Sequence, residues 1–164
     1  MAFENTNKSL RKVGNLIASE LSKNLIKDNA IASGKLDESI TVDLFKNGSK
    51  FGFTISMLDY WKAVDEGRKA GKMPPVGKIE QWLSYPNVRD KISGFRDKPI
   101  SDPQSLAYVI ARKIGREGTE GNNFATDVFE SGLLEGKITD ALENALNEDI
   151  EQLLNEQFTN GNSN

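Results

Sequence analysis

The stretch that decides the fold is Ile40-Thr41-Val42-Asp43-Leu44-Phe45-Lys46-Asn47-Gly48-Ser49-Lys50-Phe51-Gly52-Phe53-Thr54-Ile55-Ser56-Met57. Ile40, Val42 and Leu44 alternate with Thr41 and Asp43, and Phe51, Phe53, Ile55 and Met57 alternate with Gly52, Thr54 and Ser56. A period of two belongs to a strand, whose successive side chains point to opposite faces. Asn47-Gly48 between the runs is a favoured pair for a two-residue type I′ turn, which needs positive φ at both positions. A loop at 47–48 pairs Lys46 with Ser49, Leu44 with Phe51, Val42 with Phe53 and Ile40 with Ile55. Every apolar residue then shares one face, whereas a slip of one residue buries Thr and Asp instead. The hairpin therefore presents one apolar face, and that face needs a cover.

The cover is expected upstream. From about Thr6 to Lys27, Leu10, Val13, Ile17, Leu21 and Leu25 recur every three or four residues and form one helical stripe. Thr6 or Asn7 is the expected cap, and Asp28-Asn29-Ala30 with Ser33-Gly34 the expected end. Downstream, residues 58–75 pass from aromatic to glycine-rich and basic. They read as a long loop, because Gly67, Gly71 and Pro74-Pro75 suit neither a helix nor a central strand. Val76, Ile79, Trp82 and Leu83 predict a short helix starting at Pro75 and stopped by Pro86. Residues 86–101 read as irregular.

Asp102-Pro103 predicts a further helix, with Asp as N-cap and Pro at the first helical position. Leu106, Val109, Ile110 and Ile114 are its expected stripe, and Gly115, Gly118 and Gly121 its expected flexible close. Phe124, Val128 and Phe129 read as a short apolar turn. The last helix is expected from about Lys137 to Phe158, with Ile138, Leu142, Leu146, Ile150 and Leu153 inward. The fold class is α+β: a long N-terminal helix packed on a small antiparallel sheet, with further helices in the C-terminal half. Residues 1–158 are expected to form a single domain, and the polar tail 159–164 to be disordered.

Composition narrows the chemistry. The chain has 164 residues, 37% hydrophobic and 27% charged, which fits one domain at about 150 residues each. No apolar run approaches the ~18 residues of a membrane span. Met1-Ala2-Phe3-Glu4-Asn5 has neither a basic start nor an apolar stretch, so no secretory signal is expected. There is no Cys, which removes disulfides, thiolate nucleophiles and Cys-type zinc sites. There is no His, which removes the imidazole base and the Ser-His-Asp triad. No catalytic set, metal or cofactor is expected.

Net charge is −3 but uneven. Residues 1–120 hold 20 basic and 15 acidic residues, net +5, whereas residues 121–164 hold Lys137 against nine acids, net −8. These two regions are candidates to attract each other, within the chain or between subunits.

Gly67-Arg68-Lys69-Ala70-Gly71-Lys72 superficially suggests a phosphate loop. Three residues separate its glycines where four are needed, Met73 follows the Lys, and prolines follow where a helix should open. Asp59 with Glu66-Gly67-Arg68 faintly suggests the acidic pair and cation of a metal-dependent nuclease, but Arg stands where Lys is usual. Lys62, Arg68, Lys69 and Lys72 beside Tyr60 and Trp61 admit three readings. They can meet nucleic acid or a protein partner, or else the rings are core and the cations solvated. The candidate contact set is Tyr60, Trp61, Gly67, Arg68, Lys69, Gly71, Lys72, Met73, Pro74 and Pro75.

The order of these segments resembles the head–tail joining, or tail-completion, family of tailed double-stranded-DNA bacteriophages. Ser33-Gly34-Lys35-Leu36 with Ser39-Ile40 is similar to the stretch that opens the family's sheet. Tyr60, Ala63-Val64 and Glu66-Gly67 are similar to a later family motif. The stretch Gly67–Pro75, Ala107-Tyr108-Val109-Ile110-Ala111-Arg112-Lys113-Ile114, and Gly118-Thr119-Glu120-Gly121 with Phe124 look like virion proteins of this type. The resemblance implies a non-enzymatic structural protein of the virion neck, made in the bacterial host cytoplasm. It implies a ring of six or twelve copies between portal or connector proteins and tail proteins, with DNA passing through the lumen and contacting it non-specifically, and no membrane. A small DNA-binding module using residues 60–72 is the alternative.

Overall fold

The computed structural model describes residues 3–27, 33–47, 50–88, 102–132 and 135–161. The chain is α+β and forms two compact units. One comprises Met1–Asn24, Ser39–Met57 and Ala125–Asn164; the other comprises Leu25–Glu38 and Leu58–Phe124.

In the first unit a long helix lies on a hairpin. Helix α1 runs Glu4–Lys27, and its expected stripe is buried throughout, from Leu10 to Leu21 and on to Leu25. Gly14 marks where α1 meets the sheet. A Cβ there would stand 2.5 Å from Val42 Cγ1 and 3.3 Å from Phe53 Cδ2, so the helix backbone rests on the hairpin's apolar face. Phe3 adds a ring contact with Phe51, centroids 5.5 Å apart.

Strands β1 (Thr41–Asn47) and β2 (Lys50–Ser56) pair antiparallel, but not in the register expected. Asn47 faces Lys50, Leu44 faces Phe53 and Val42 faces Ile55. The two intervening residues are therefore 48–49 rather than 47–48; they lie outside the described residues. Both registers keep Val42, Leu44, Phe51, Phe53 and Ile55 on one face, because they differ by an even step, so the alternation alone cannot choose between them. The outward face can. In the observed pairing Phe45 lies opposite Gly52, and its ring occupies the space a Cβ on Gly52 would need, with Cζ at 2.9 Å. An aromatic ring covering a cross-strand glycine restores packing that the glycine lacks.

Helix α6 (Phe124–Glu130) follows the second unit, and α7 (Glu135–Gly161) completes the first. Phe124 and Val128 are buried, but Phe129 is exposed, so the expected apolar turn is a helix with one ring outward. Helix α7 extends beyond Phe158, making part of the expected tail helical; residues 162–164 lie outside the described residues.

The inward row of α7 also differs from expectation. Ala145 and Asp149 are buried, whereas Leu146 and Ile150 are 37% and 41% exposed. The cause is the start of α1. Its first backbone N–H groups have no partners within the helix, and Asp149 supplies one. Its carboxylate accepts from Asn5 N at 3.0 Å, Thr6 N at 2.7 Å and Thr6 Oγ1 at 2.6 Å. Thr6 thus sits inside the first turn and is held by Asp149; it is not the cap. Ser9 Oγ adds a bond to the Ala141 carbonyl at 2.9 Å. Turning Asp149 toward α1 moves Leu146 and Ile150 to the edge.

In the second unit α4 (Val76–Leu83) packs on α5 (Pro103–Glu117) around Leu83, Val88 and Ala107, flanked by Val76, Ile79, Tyr85, Leu106 and Ile110. Asp102 caps α5 as expected, accepting from Gln104 N at 3.1 Å and Ser105 N at 3.2 Å. The buried row is carried by Ala107 and Ala111, while Val109 is 61% exposed. Small side chains let the neighbouring helix approach closely, which a ranking by hydrophobic size overlooks. Residues 89–101, which include most of the segment expected to be irregular, lie outside the described residues.

Candidate functional site

The candidate contact set begins just after the short helix α2 (Lys35–Glu38) and the hairpin. Tyr60 precedes the five-residue helix α3 (Trp61–Asp65), which then leads into strand β3 (Gly67–Arg68). The sequence reading treats 58–75 as one open loop. The structure instead threads its middle into the second unit. β3 pairs antiparallel with β4 (Thr119–Glu120), Gly67 opposite Glu120 and Arg68 opposite Thr119. Asn122 N donates to the Val64 carbonyl and Asn123 N to the Asp65 carbonyl, both at 3.0 Å.

Glycine is required at this crossing. Gly67 has φ +79°, and a Cβ there would lie 2.2 Å from the Thr119 carbonyl oxygen. A Cβ on Gly121 would lie 1.9 Å from the Asp65 carbonyl oxygen. The glycines expected to make a flexible connection are thus points where two backbones touch. At these two points the facing backbone comes so close that a Cβ has no room, which only glycine meets.

The remainder of the set is braced from the same side. Gly71 N donates to the Gly115 carbonyl at 2.8 Å, and Met73 lies against Gly115, where a Cβ would be 3.1 Å from Met73 Cα. The Arg68 guanidinium donates to the Lys72 carbonyl and closes the segment on itself. Lys69 and Lys72 are exposed, Pro74 is half-buried, and Pro75 sits at the N-cap position of α4. Lys62 Nζ lies 5.6 Å from the centre of the half-buried Trp61 ring, within cation–π range.

Two concavities separate the set. Glu66, Gly67, Arg68 and Lys69 border a shallow one with Thr119 and Gly121. Tyr60 borders the other, a cleft of about 480 Å³, with Leu36, Trp82 and Tyr85. Burial, with Tyr85 nearby, pushes the Tyr60 hydroxyl above its ordinary pKa. The cleft contains Asp37 and Lys78 as its charged members. Sequence reasoning missed Trp82, Tyr85 and Leu36 as companions of Tyr60, since they come from the end of α4 and just beyond it and from α2, both distant from Tyr60 along the chain.

Asp59 and Glu66 are both exposed, and among the described residues no group of three or more acidic side chains is placed to hold a metal. No described helix is long and apolar enough to cross a membrane. No family model, curated protein or solved structure matches the chain.

Proposed function

We propose that the chain is a non-enzymatic structural subunit of a tailed-phage virion, one copy of a neck ring of six or twelve. It would join portal or connector proteins to tail proteins around the passing DNA. The observation that carries this reading is the crossing of β3 and β4. The stretches that resemble the family, Tyr60–Gly67 and Gly118–Gly121 with Phe124, are far apart in sequence yet meet there backbone to backbone. Their residue types therefore serve one structural junction. From it Lys69, Lys72 and Met73 project as an exposed, internally braced rim suited to contacting a neighbouring subunit.

The alternative, a DNA-binding module, gains nothing from the geometry. Arg68 is turned onto its own backbone and Trp61 is half-buried beside Lys62, which leaves Tyr60 as the exposed ring of the set. Deleting the gene from the genome that encodes the protein tests the proposal. The expected outcome is filled heads and separate tails in electron micrographs, joined again when the protein is supplied. Normal particles without it would overturn the reading. Tight, steeply salt-dependent binding of the pure protein to duplex DNA would favour the alternative.

A further inference from the structure

Helix α7 carries a row that its own unit does not cover. Leu146, Ile150, Leu154 and Phe158 stand four residues apart, exposed by 37%, 41%, 52% and 74%. Scattered exposed apolar residues are ordinary, but a continuous row of this kind marks a contact surface. Glu143 and Glu151 are exposed along one side of the row, and the helix as a whole sets seven acids against Lys137. Two copies of this row facing each other would bring like charges together.

The second unit offers the complementary surface. On α5, Tyr108, Arg112 and Arg116 also stand four apart with Val109 beside them, all exposed. Glu117 pairs with Arg116 at 3.0 Å and with Lys113 at 3.8 Å, so three cations face one acid and the helix keeps a positive excess. Rows with a spacing of four are the ridges that interdigitate in the commonest helix packing.

We propose that the outward face of α7 docks on the outward face of α5 in a second copy of this chain. Apolar rows would form the centre of the contact, with Glu143 and Glu151 set against Arg112 and Arg116. Such a contact uses two different patches and so repeats head to tail, which closes into a ring or runs on as a filament. The inference rests on the reading of the chain as a self-assembling subunit and names the faces that meet.

The absence of cysteine makes the test clean. Val109→Cys and Ile150→Cys are made in separate full-length chains, mixed, and oxidised. The mixture should give a covalent dimer, and the double variant a ladder of covalent oligomers. Combining Arg112→Glu and Arg116→Glu should lower the yield roughly tenfold, within the range over which electrostatic steering acts. Adding Glu143→Arg and Glu151→Arg to the partner should restore it. Circular dichroism checks that each variant folds. Cross-linking of the Ile150→Cys chain with itself in preference to the mixture would overturn the pairing. So would an intrachain disulfide in the double variant, or no cross-link at all. These failures are separable from failure of the virion role, which is read in particles lacking the gene.

Discussion

Asp149 is a buried carboxylate held by three hydrogen bonds from the start of α1. Burial alone would raise its pKa, but the bonds from Thr6 and Asn5 outweigh it, and the carboxyl is held below its ordinary value. A group lowered on folding adds stability that is complete above its unfolded value, ~3.9, and that disappears as pH falls through the lower folded value. Asp149→Asn should lower stability by about 1–3 kcal/mol at neutral pH, the range for hydrogen bonds to charged groups. The loss should fade toward pH 3 in urea titrations, and a constant deficit across that range would contradict the assignment.

Two helical glycines should respond with opposite sign. Gly77→Ala places a Cβ in open space and should raise stability by up to about 1 kcal/mol through helix propensity. Gly14→Ala places one 2.5 Å from a methyl of Val42, a stiff β-branched side chain. It should lower stability by about 1–3 kcal/mol, and equal melting shifts would show that α1 does not rest on the hairpin there.

Among the elements, the hairpin shows what was legible. Alternation located both strands and their inward faces, and the spacing of three or four from Leu10 to Leu25 located the helix that covers them, because burial acts on each residue separately. It could not set the register, because an even step moves no residue between faces, and only the Phe45–Gly52 contact distinguishes the pairings. Asp43→Cys with Thr54→Cys, directly opposite on the outer face, should form a disulfide on mild oxidation, since opposed residues lie within bridging distance. Asp43→Cys with Gly52→Cys, the pair required by a turn at 47–48, should not. Phe53→Ala should cost about 3 kcal/mol and Thr54→Ala less than about 0.5.

The β3–β4 crossing was the part not legible, because glycine spacing does not reveal which distant segment the glycine must admit. Asp149 was hidden for a related reason: an acid within an apolar stripe reads as surface until its partner is known. Gly121→Ala should disrupt the crossing at a cost of about 3 kcal/mol. The change should be visible in tryptophan fluorescence, since Trp61 and Trp82 both belong to the second unit.

At the scale of the whole molecule, charge and exposure coincide. The mildly basic 1–120 region and the acidic remainder each expose apolar side chains, a distribution that favours contact between unlike surfaces. Replacing Arg68, Lys69 and Lys72 together by Ser should leave circular dichroism unchanged. Stability should fall by no more than about 1 kcal/mol, the worth of the Arg68 bond to Lys72. Ring formation or the joining of heads to tails should be lost, and normal assembly in electron micrographs would remove this rim from the contact.

The bond between Thr6 and Asp149 also sets a schedule for synthesis. The amides of the first helical turn leave the ribosome 143 residues before the carboxylate that caps them. At about 5–20 residues per second that interval is roughly 7–30 s. During it the start of α1 must rely on water, and the hydroxyl of Ser9 still lacks the carbonyl of Ala141. A nascent chain arrested before Asp149 should therefore exchange its Asn5 and Thr6 amide protons freely. Synthesis through α7 should protect both at once, tying the completion of α1 to the arrival of a helix made long after it.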